Sequence, residues 1–465
     1  HDLLLGKETF YQLNHARSTQ LTALILPDLF SRVNPHFSTL RYSTGIRPSR
    51  KGAMTATFDI DLTADSFGGD CVGRLPDGRA VFVSFGIAGE RVRIELTSEK
   101  RNFARGRIVT ILESSPRRIQ PRCRHFEDCG GCHYQHLAYS DQLRVKQDIV
   151  TRQLERIGKI TNPPVLPIVP SPLEWNYRNT VQFHLSAGGR LGYQRAGRAG
   201  VLEVTECHLP QESINALWPQ LELDPATGSE RVSIRQGAED ELLLGLESRS
   251  GQVPEFEIDF PLSVVFMGAE DKVLLSGEDF SIIRVLERDF RVSADAFFQV
   301  NTAMAEKMVT HVLRLLEGKT FDHIVDAYCG AGLFSAFLAP VCKQLTGIEL
   351  SESACNDFAV NLEEYDHVAL YVGAVEQVLP ALEIKPDLVL VDPPRAGLDP
   401  YAMTGLIKGE PAQIIYISCD PATLARDLAL LLGAGYSLES VTPFDLFPQT
   451  YHVECIAFLH LMKDM

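Results

Sequence analysis

One cysteine of the chain stands where a nucleophile is expected. Cys419 follows the apolar, strand-like run QIIYIS and precedes the helical pattern TLARDLALLL, which places it at a helix N-terminus. A helix N-terminus stabilises a thiolate, and the thiolate is the nucleophilic form of cysteine. A buried, inert cysteine is the alternative, but the position at the end of a strand favours a reactive thiolate.

A thiolate helps a methyl transfer when the acceptor carbon is a poor nucleophile. Carbon 5 of uracil does not attack a sulfonium methyl group, but addition of a thiolate to carbon 6 makes carbon 5 enolate-like. The proton on carbon 5 must afterwards be removed by a base. Glu454, which begins the last apolar strand, is the base that the sequence predicts. His452 would lie on the same strand face and cooperate with it.

A glycine turn and two acids indicate a cofactor pocket. Gly330 and Gly332, in DAYCGAG, follow a strand and open a helix, so the backbone can approach a ligand closely. Glu349 ends the next strand, where an acid can accept hydrogen bonds from both ribose hydroxyls. Ser335 replaces the third glycine of the dinucleotide fingerprint, which favours a nucleoside cofactor without a pyrophosphate. Asp392, in DPPR, follows the strand DLVLV at the edge where such sheets bind ligands.

The combination resembles a class I S-adenosylmethionine-dependent methyltransferase. An ordinary turn at a strand exit is the alternative for the Asp-Pro-Pro segment taken alone. The glycine turn and the acid at the end of the second strand, in this order, favour the methyltransferase.

Composition limits the classes of protein to be considered. The 465 residues predict two or three domains, since one domain has ~150. Apolar (45%) and charged (22%) fractions are those of a globular protein and exclude a coiled coil or a disordered chain. The net charge of −16 disfavours binding to nucleic acid through the overall field, so any contact with RNA requires a local basic patch.

The cysteines and the apolar runs indicate the compartment. The 10 cysteines follow no regular disulfide spacing, and no apolar run reaches the ~18 residues that span a membrane. The sequence therefore predicts a reduced, cytoplasmic protein that does not enter a membrane and has no obligate protein partner.

Changes in pattern divide the chain into four parts. Residues 1–53 are basic and poor in acids, and we interpret them as a disordered or non-native extension, with a transit peptide as the alternative. Residues 54–114 alternate in short runs between glycine turns and predict an OB-like β-barrel. Residues 115–290 predict an α+β central domain with a helix over 137–157. In residues 291–465 strands alternate with helices, which predicts an α/β, doubly wound parallel sheet.

A basic run crosses the first of these boundaries. Between Arg91 and Arg124 the chain carries ten Lys and Arg against three acids. Such a run is by default a solvated strand face. Beside a β-barrel it predicts contacts with an RNA backbone.

Five motifs are similar to those of the bacterial RNA uracil-5-methyltransferases. From about Met54 to its end the chain resembles this family, which uses S-adenosylmethionine to form 5-methyluridine in 23S ribosomal RNA or in the tRNA T loop. The resemblance implies a class I (Rossmann-like) methyltransferase domain and a TRAM domain, an OB-like RNA-binding module, at residues 54–114. The motifs are DAFFQVN (295–301), DAYCGAG (326–332), DPPRAG (392–397), ISCDPATLARD (417–427) and FPQTYHVE (447–454).

The resemblance also implies roles for individual residues. Cys419 would be the nucleophile and Glu454 the proton acceptor. The residues implied to bind S-adenosylmethionine are Gln299, Tyr328, Glu349 and Asp392.

Two positions depart from the motifs of the family. Asp420 stands where Asn is common after the nucleophile, and Gln449 stands where His is frequent in the last motif. Gln449 makes the chain more similar to the ribosomal-RNA enzymes of Gram-positive type than to the tRNA enzyme. The predicted substrate is therefore 23S rRNA, with tRNA as the alternative.

A cysteine group precedes the catalytic motifs. Cys123, Cys129 and Cys132 form a Cx5CGGC pattern, and Cys207 follows in VTECHLP. Four thiolates suit zinc or an iron–sulfur cluster, although this spacing is unusual for a zinc finger. The resemblance implies that these four cysteines are the ligands of a [4Fe-4S] cluster.

Two other functions compete with this interpretation. A methyltransferase acting on an exocyclic amine would use the Asp-Pro-Pro segment to orient the amino group, and Cys419 would be a bystander. A noncatalytic iron–sulfur protein that binds RNA is the alternative from a different class.

Overall fold

The structure is a computed structural model of the chain. Of the extension predicted over residues 1–53, Phe10–Tyr11 alone falls within the described residues, where it forms the short strand β1. The other residues of that extension lie outside them. The described residues are 10–11, 57–221, 223–224, 228–249, 253, 261–269 and 271–462.

Five strands close into a barrel near the start of the chain. Side chains alternate between its interior and solvent, and Ile60, Leu62, Val92 and Ile94 fill the interior. The predicted OB-like barrel is thereby confirmed. The strands are β2 (Thr57–Asp65), β3 (Asp70–Arg74), β4 (Ala80–Ser84), β5 (Arg91–Glu99) and β6 (Phe103–Glu113), closing in the order β2-β3-β4-β6-β5.

The central part of the chain contains one long helix, a seven-stranded sheet and a separate strand pair. The sheet has the order β13-β12-β11-β10-β7-β8-β9 and buries Phe183 and Trp218 against one another. The elements are α1 (Tyr139–Arg156), β7 (Thr180–Leu185), β8 (Leu191–Gln194), β9 (Val201–Glu203), α2 (Glu212–Leu217), a 3₁₀ turn (Trp218–Gln220), β10 (Ser229–Gln236), β11 (Leu242–Ser248), β12 (Ser263–Met267), β13 (Lys272–Ser276), β14 (Phe280–Val285) and β15 (Arg288–Ser293).

The last third supplies seven strands of an eight-stranded sheet, whose eighth strand is β1, and helices cover both faces. The strand order is β1-β18-β17-β16-β19-β20-β22-β21, parallel from β18 to β20 and antiparallel in the first pair and the last two pairs. The elements are α3 (Thr302–Leu315), β16 (Phe321–Ala327), α4 (Leu333–Leu338), a 3₁₀ turn (Ala339–Val341), β17 (Cys342–Glu349), α5 (Glu352–Asn361), β18 (Val368–Val372), α6 (Val375–Ala381), β19 (Leu388–Val391), α7 (Pro400–Gly409), β20 (Gln413–Ser418), α8 (Pro421–Gly433), β21 (Tyr436–Phe444) and β22 (Glu454–Leu461).

Both faces of this sheet are buried. Ile324 and Leu390 contribute to the core on one face, and Val325 and Val391 to the core on the other. Central parallel strands covered on both sides are apolar throughout, which is why these runs were recognisable in the sequence. The order of the central strands doubles back at β16 and β19, so that the carboxyl ends of the strands flank an open crevice.

Helix α1 belongs in sequence to the central part of the chain but packs on the eight-stranded sheet. Its Val150 and Leu154 are fully buried in the core that also contains Leu424 and Leu428 of α8. The helix was predicted over residues 137–157, and the structure confirms it. This packing fixes the central part of the chain against the catalytic part.

None of the helices in the described parts of the chain is long and apolar enough to cross a membrane.

Candidate active site

Cys419 occupies the turn between a buried strand and a helix. Strand β20 ends at Ser418, and α8 begins at Pro421. Asp420 is the N-cap of α8, and its carboxylate accepts hydrogen bonds from the backbone N–H groups of Ala422 and Thr423 (2.8 and 3.1 Å). An Asp caps a helix as well as an Asn does, so this departure from the family motif preserves the turn.

The prediction of a stabilised thiolate at this turn is wrong. Burial, together with the negative charges of Glu454, Asp392 and Asp420, raises the pKa of the Cys419 thiol to about 12, and the charge of Arg395 opposes this shift. The N-terminal N–H groups of the helix are occupied by Asp420 rather than by the sulfur. Cys419 is therefore a protonated thiol in the unliganded protein, and its proton must leave when it reacts.

Glu454 lies beside Cys419 because β20 and β22 pair antiparallel. Ser418 is the partner of Cys455, so Cys419 and Glu454 are the next residues on adjacent strand ends. Burial and the nearby carboxylate of Asp392 raise the pKa of Glu454 to about 8. The guanidinium of Arg395 opposes this shift. A carboxyl group with a pKa near the working pH can both accept and release a proton.

Alternation along a strand predicts that His452 and Glu454 share a face, and the structure contradicts this. Strand β22 begins at Glu454, and His452 lies in the preceding loop. Burial and the charge of Arg395 lower the pKa of His452 to about 3, so its imidazole is neutral. Its Nδ1 lies 3.3 Å from Arg395 Nη2, and its ring lies 4.1 Å from that of Tyr451.

Three acids gather at the carboxyl ends of β16, β17 and β19. Glu349 accepts hydrogen bonds from the backbone N–H groups of Gly330 (2.9 Å) and Leu350 (2.8 Å). Burial raises the pKa of Asp392 to about 7. Burial and the charges of Asp392 and Glu349 likewise raise the pKa of Asp326 to about 7, and the Oδ1 atom of Asp326 is buried without a hydrogen-bond partner.

This acidic cluster suits a positively charged ligand. A cation placed among the carboxylates would offset their mutual repulsion and supply a partner for the free oxygen of Asp326. The sulfonium and ammonium groups of S-adenosylmethionine meet this requirement. Packing within the protein requires glycine in this turn: Gly332 has a φ of 89°, and a Cβ atom there would collide with the buried Leu362 side chain.

The two other residues implied to bind the cofactor, Tyr328 and Gln299, lie on different segments of the chain. Tyr328 directly follows β16 with a φ of 66°, and its backbone N–H donates to the carbonyl of Ile348 (2.9 Å). Gln299 is buried on the segment before α3, where its carbonyl accepts a hydrogen bond from the Asn179 side chain (3.1 Å).

The four cysteines of the central part line one cavity of about 210 Å³. Burial raises the pKa values of Cys129 and Cys132 to about 11 and about 12 and also raises those of Cys123 and Cys207. In the described parts of the chain, no three His, Cys, Asp or Glu side chains converge closely enough to hold a single metal ion. Four thiols around one cavity form a donor set that suits either zinc or an iron–sulfur cluster.

The basic run of the barrel is largely neutralised by acids from other parts of the chain. The sequence excess of positive charge between Arg91 and Arg124 counted only the acids inside that run. The structure pairs these arginines with acids that lie mostly outside it. The pairs are Arg93 with Asp59, Arg105 with Asp70, Arg107 with Glu95, Arg118 with Glu90 and Arg124 with Glu206.

Known proteins resemble both the barrel and the catalytic part. The family model of tRNA (Uracil-5-)-methyltransferases matches residues 257–378 and 378–462, and the TRAM model matches residues 55–109. An uncharacterized RNA methyltransferase of Nostoc sp. is 35% identical over 436 residues, covering 85% of this chain and 94% of that protein. One from Halalkalibacterium halodurans is 32% identical over 455 residues, covering 89% and 98%.

The chain belongs to the RNA uracil-5-methyltransferase family. A solved structure agrees with this, the Pyrococcus abyssi tRNA (uracil-54, C5)-methyltransferase in complex with S-adenosyl-L-homocysteine. It is 25% identical to this chain, covers 86% of it and all of its own length, and superposes with a TM-score of 0.65. The chain is therefore an S-adenosylmethionine-dependent RNA methyltransferase with an N-terminal TRAM barrel.

Two residues of this uracil-5-methyltransferase site had no role in the analysis of the sequence. Asp326 begins the glycine motif, and its position at the end of a strand was the available signal. Arg395 ends the Asp-Pro-Pro-Arg motif, and its charge acts on both Glu454 and Cys419. The spacing of the motif could not reveal this, because Arg395 and Glu454 meet only in the folded sheet.

The raised pKa of Glu454 predicts a pH-dependent reaction. Because only the carboxylate accepts a proton, we expect kcat/KM for RNA to increase as the pH rises through about 8. Arg395→Gln removes a charge that lowers this pKa, so the midpoint of the rise should move to higher pH. Lys385→Gln, at an exposed lysine paired with Glu410, is the control and should leave the midpoint in place. An unchanged or lower midpoint in Arg395→Gln would contradict the assignment.

Proposed function

We propose that this enzyme methylates carbon 5 of a uridine in 23S rRNA through a covalent adduct between Cys419 and carbon 6. The observation that carries the proposal is the placement of Cys419 and Glu454 on adjacent strand ends, beside the acidic crevice. A nucleophile and a base with a pKa of about 8 are the two groups that this reaction requires.

Cys419 acts first in this mechanism. As its sulfur bonds to carbon 6, the thiol proton passes to water, and the displaced electron pair of the double bond spreads over carbon 5 and oxygen 4. S-adenosylmethionine, when bound, supplies an electrophilic methyl group on its sulfonium. Carbon 5 bonds to that methyl group with its electron pair, and Glu454 then removes the proton that carbon 5 still carries. The electron pair of that C–H bond restores the double bond between carbons 5 and 6, the bond between carbon 6 and sulfur breaks with its pair left on Cys419, and the proton on Glu454 passes to that sulfur.

The crevice at the carboxyl ends of the strands would hold the cofactor. In the proposal Glu349 accepts hydrogen bonds from the ribose hydroxyls, and Asp392, Tyr328 and Gln299 hold the rest of the molecule. The buried carboxylates favour the positive charge of the sulfonium over the neutral product, which helps release after transfer. The uridine must leave its stack to present carbon 6 to Cys419, so the enzyme flips the base out of a loop.

A groove between the barrel and the central sheet is the proposed path of the RNA. Its volume is about 1140 Å³, and Arg105, Arg107, Arg195 and Arg198 line it together with Phe85. Arginines can exchange their carboxylate partners for phosphates, and aromatic rings can stack on unpaired bases. Arg105 and Arg107 belong to the basic run, so the proposed groove includes part of the surface for which the sequence predicts contacts with an RNA backbone.

The four cysteines belong to the proposal as ligands of a [4Fe-4S] cluster. Cys123, Cys129, Cys132 and Cys207 would hold it, and it would order the central part and its RNA surface. Methyl transfer needs no electron transfer, so no step depends on its redox state. The division into a barrel at 54–114, a central domain at 115–290 and a catalytic domain at 291–465 is part of the same proposal.

A uridine in the tRNA T loop is the second candidate substrate. The observation that favours it is the similarity over the full length to the Pyrococcus enzyme, whose name specifies uracil 54 of tRNA. Gln449, which favoured rRNA in the sequence, is 2% exposed and bonded to the Gln142 side chain, so it does not face a substrate.

The covalent route can be tested by trapping. With 5-fluorouridine in the target RNA, carbon 5 has no proton to lose, and we expect a protein–RNA adduct that survives denaturing electrophoresis. Cys419→Ala should form none. Cys342→Ala is the matched control and should form the adduct, because Cys342 begins β17 and lies at the amino ends of the strands, away from the carboxyl ends that carry the site. With ordinary uridine, Glu454→Gln should accumulate a methylated adduct. Methylation without any adduct would favour the exocyclic-amine mechanism.

The substrate can be identified in cells. We expect deletion of the gene to abolish 5-methyluridine in one fragment of 23S rRNA, as measured by liquid chromatography and mass spectrometry. The wild-type gene should restore the modification and the Cys419→Ala gene should not. Loss in the tRNA T loop instead would replace the rRNA assignment with the second candidate.

The cluster can be tested by its composition. We expect purified wild-type protein to contain about four iron and four sulfide per chain, with the visible absorption of a cluster. Cys207→Ser should lose most of both, whereas Cys342→Ser should retain them. One zinc per chain in the wild type, or equal iron in both variants, would contradict the assignment.

A further inference from the structure

The loop that leads to Glu454 is held by a helix from another part of the chain. We call residues 445–453, between β21 and β22, the catalytic loop. Two residues of α1, Gln142 and Lys146, are spaced one helical turn apart and reach the same loop. Both are buried, with 1% and 0% of their surfaces exposed.

Gln142 forms a reciprocal amide pair with Gln449. Its Nε2 donates to Gln449 Oε1, and its Oε1 accepts from the Gln449 backbone N–H, both at 2.9 Å. The carbonyl of Gln449 accepts from the backbone N–H groups of His133 (2.8 Å) and Tyr134 (3.0 Å), in the segment after Cys132. The central part of the chain thus binds the N–H, the C=O and the side chain of one residue.

Gln449 needs these bonds because its backbone is strained. Its φ is 70°, a left-handed conformation that residues with a side chain rarely adopt. Such a conformation persists only where the surroundings hold it from several sides, and it concentrates at functional sites. Without Gln142, Gln449 would relax and the loop would change course.

Lys146 secures the start of the same loop. It forms a fully buried ion pair with Asp445, and its Nζ also donates to the carbonyl of Phe447 (3.0 Å). Two hydrogen bonds within the loop connect Phe447 to His452. The Thr450 hydroxyl donates to the Phe447 carbonyl (2.8 Å) and accepts from the His452 backbone N–H (3.2 Å). His452 is two residues from Glu454.

We propose that Gln142 and Lys146 are positioning residues for the reaction, which hold the catalytic loop so that Glu454 reaches the proton on carbon 5. Neither residue touches the reacting atoms. The inference rests on the proposed function, since it concerns the base of that mechanism. It adds that the base is placed by the central part of the chain and not by its own sheet alone.

The test is a pair of matched variants on α1. Gln142→Met keeps the length of the side chain and removes both hydrogen bonds to Gln449, together with the one that Nε2 donates to the Leu137 carbonyl (3.0 Å). Gln153→Met makes the same change at another buried glutamine of this helix, whose Oε1 has no hydrogen-bond partner. We expect Gln142→Met to lower kcat by about tenfold to a hundredfold, the effect of a misplacement of about 1 Å, with KM for RNA nearly unchanged.

Two readouts separate positioning from a merely structural role. Gln142→Met should accumulate the methylated adduct on ordinary uridine RNA, since removal of the carbon 5 proton is the step that slows. It should also keep the thermal midpoint and the iron content of Gln153→Met. Equal rates in the two variants, or a lower rate without accumulated adduct, would overturn the inference.

A second-site variant tests the role of strain. Glycine adopts a φ of 70° freely, so Gln142→Met combined with Gln449→Gly should be faster than Gln142→Met alone. A double variant that is equally slow or slower would show that the loop is not held in this way. Wild-type protein that methylates no RNA would overturn the proposed function together with this inference, whereas failure in an active enzyme overturns the positioning role alone.

Discussion

The pairing of β22 with β20 is the interaction on which the site depends. The two strands belong to motifs that lie apart in the sequence. Their register pairs Ser418 with Cys455 and thereby puts Cys419 next to Glu454. A slip of one residue would turn every side chain of β22 to the opposite face of the sheet. Both faces are buried in large apolar cores, so such a slip would cost much of the packing energy. The cores thereby specify the catalytic geometry.

Burial at this edge of the sheet also sets the chemistry. Asp326, Asp392 and Glu454 lie in a poorly solvated crevice, and each has a raised pKa. Carboxylates that repel one another in the unliganded protein are stabilised when a cation arrives. Burial, together with two of these carboxylates, Glu454 and Asp392, also raises the pKa of Cys419. Binding and activation are therefore consequences of one electrostatic arrangement.

The three parts of the chain meet around the catalytic loop. Phe67, in the barrel, contacts the ring of Tyr451 at 5.7 Å, and His133, next to the cysteine group, contacts it at 4.6 Å. Helix α1 is buried against the catalytic sheet and bonded to the loop as well. The loop that precedes Glu454 therefore receives support from each part of the chain. The proposed RNA groove is thus physically continuous with the proposed base.

Local patterns in the sequence were enough to predict the barrel, α1, the central strands and the positions of Cys419, Glu349 and Asp392. These features depend on the periodicity of apolar residues and on turns between neighbouring elements, which a sequence records directly. Protonation states were not predictable. The helix N-terminus alone favours a thiolate at Cys419, but other strands bring carboxylates to this cysteine that the local sequence does not reveal. The local charge of the basic run was also not predictable, since Asp59 and Asp70 reach its arginines from other strands. The sequence by itself determined which residues can react and along which elements they lie. Only the tertiary structure decided their charges and the contacts that hold them in place, because both depend on residues that meet only after folding. Gln142 and Gln449, for example, are 307 positions apart in the chain.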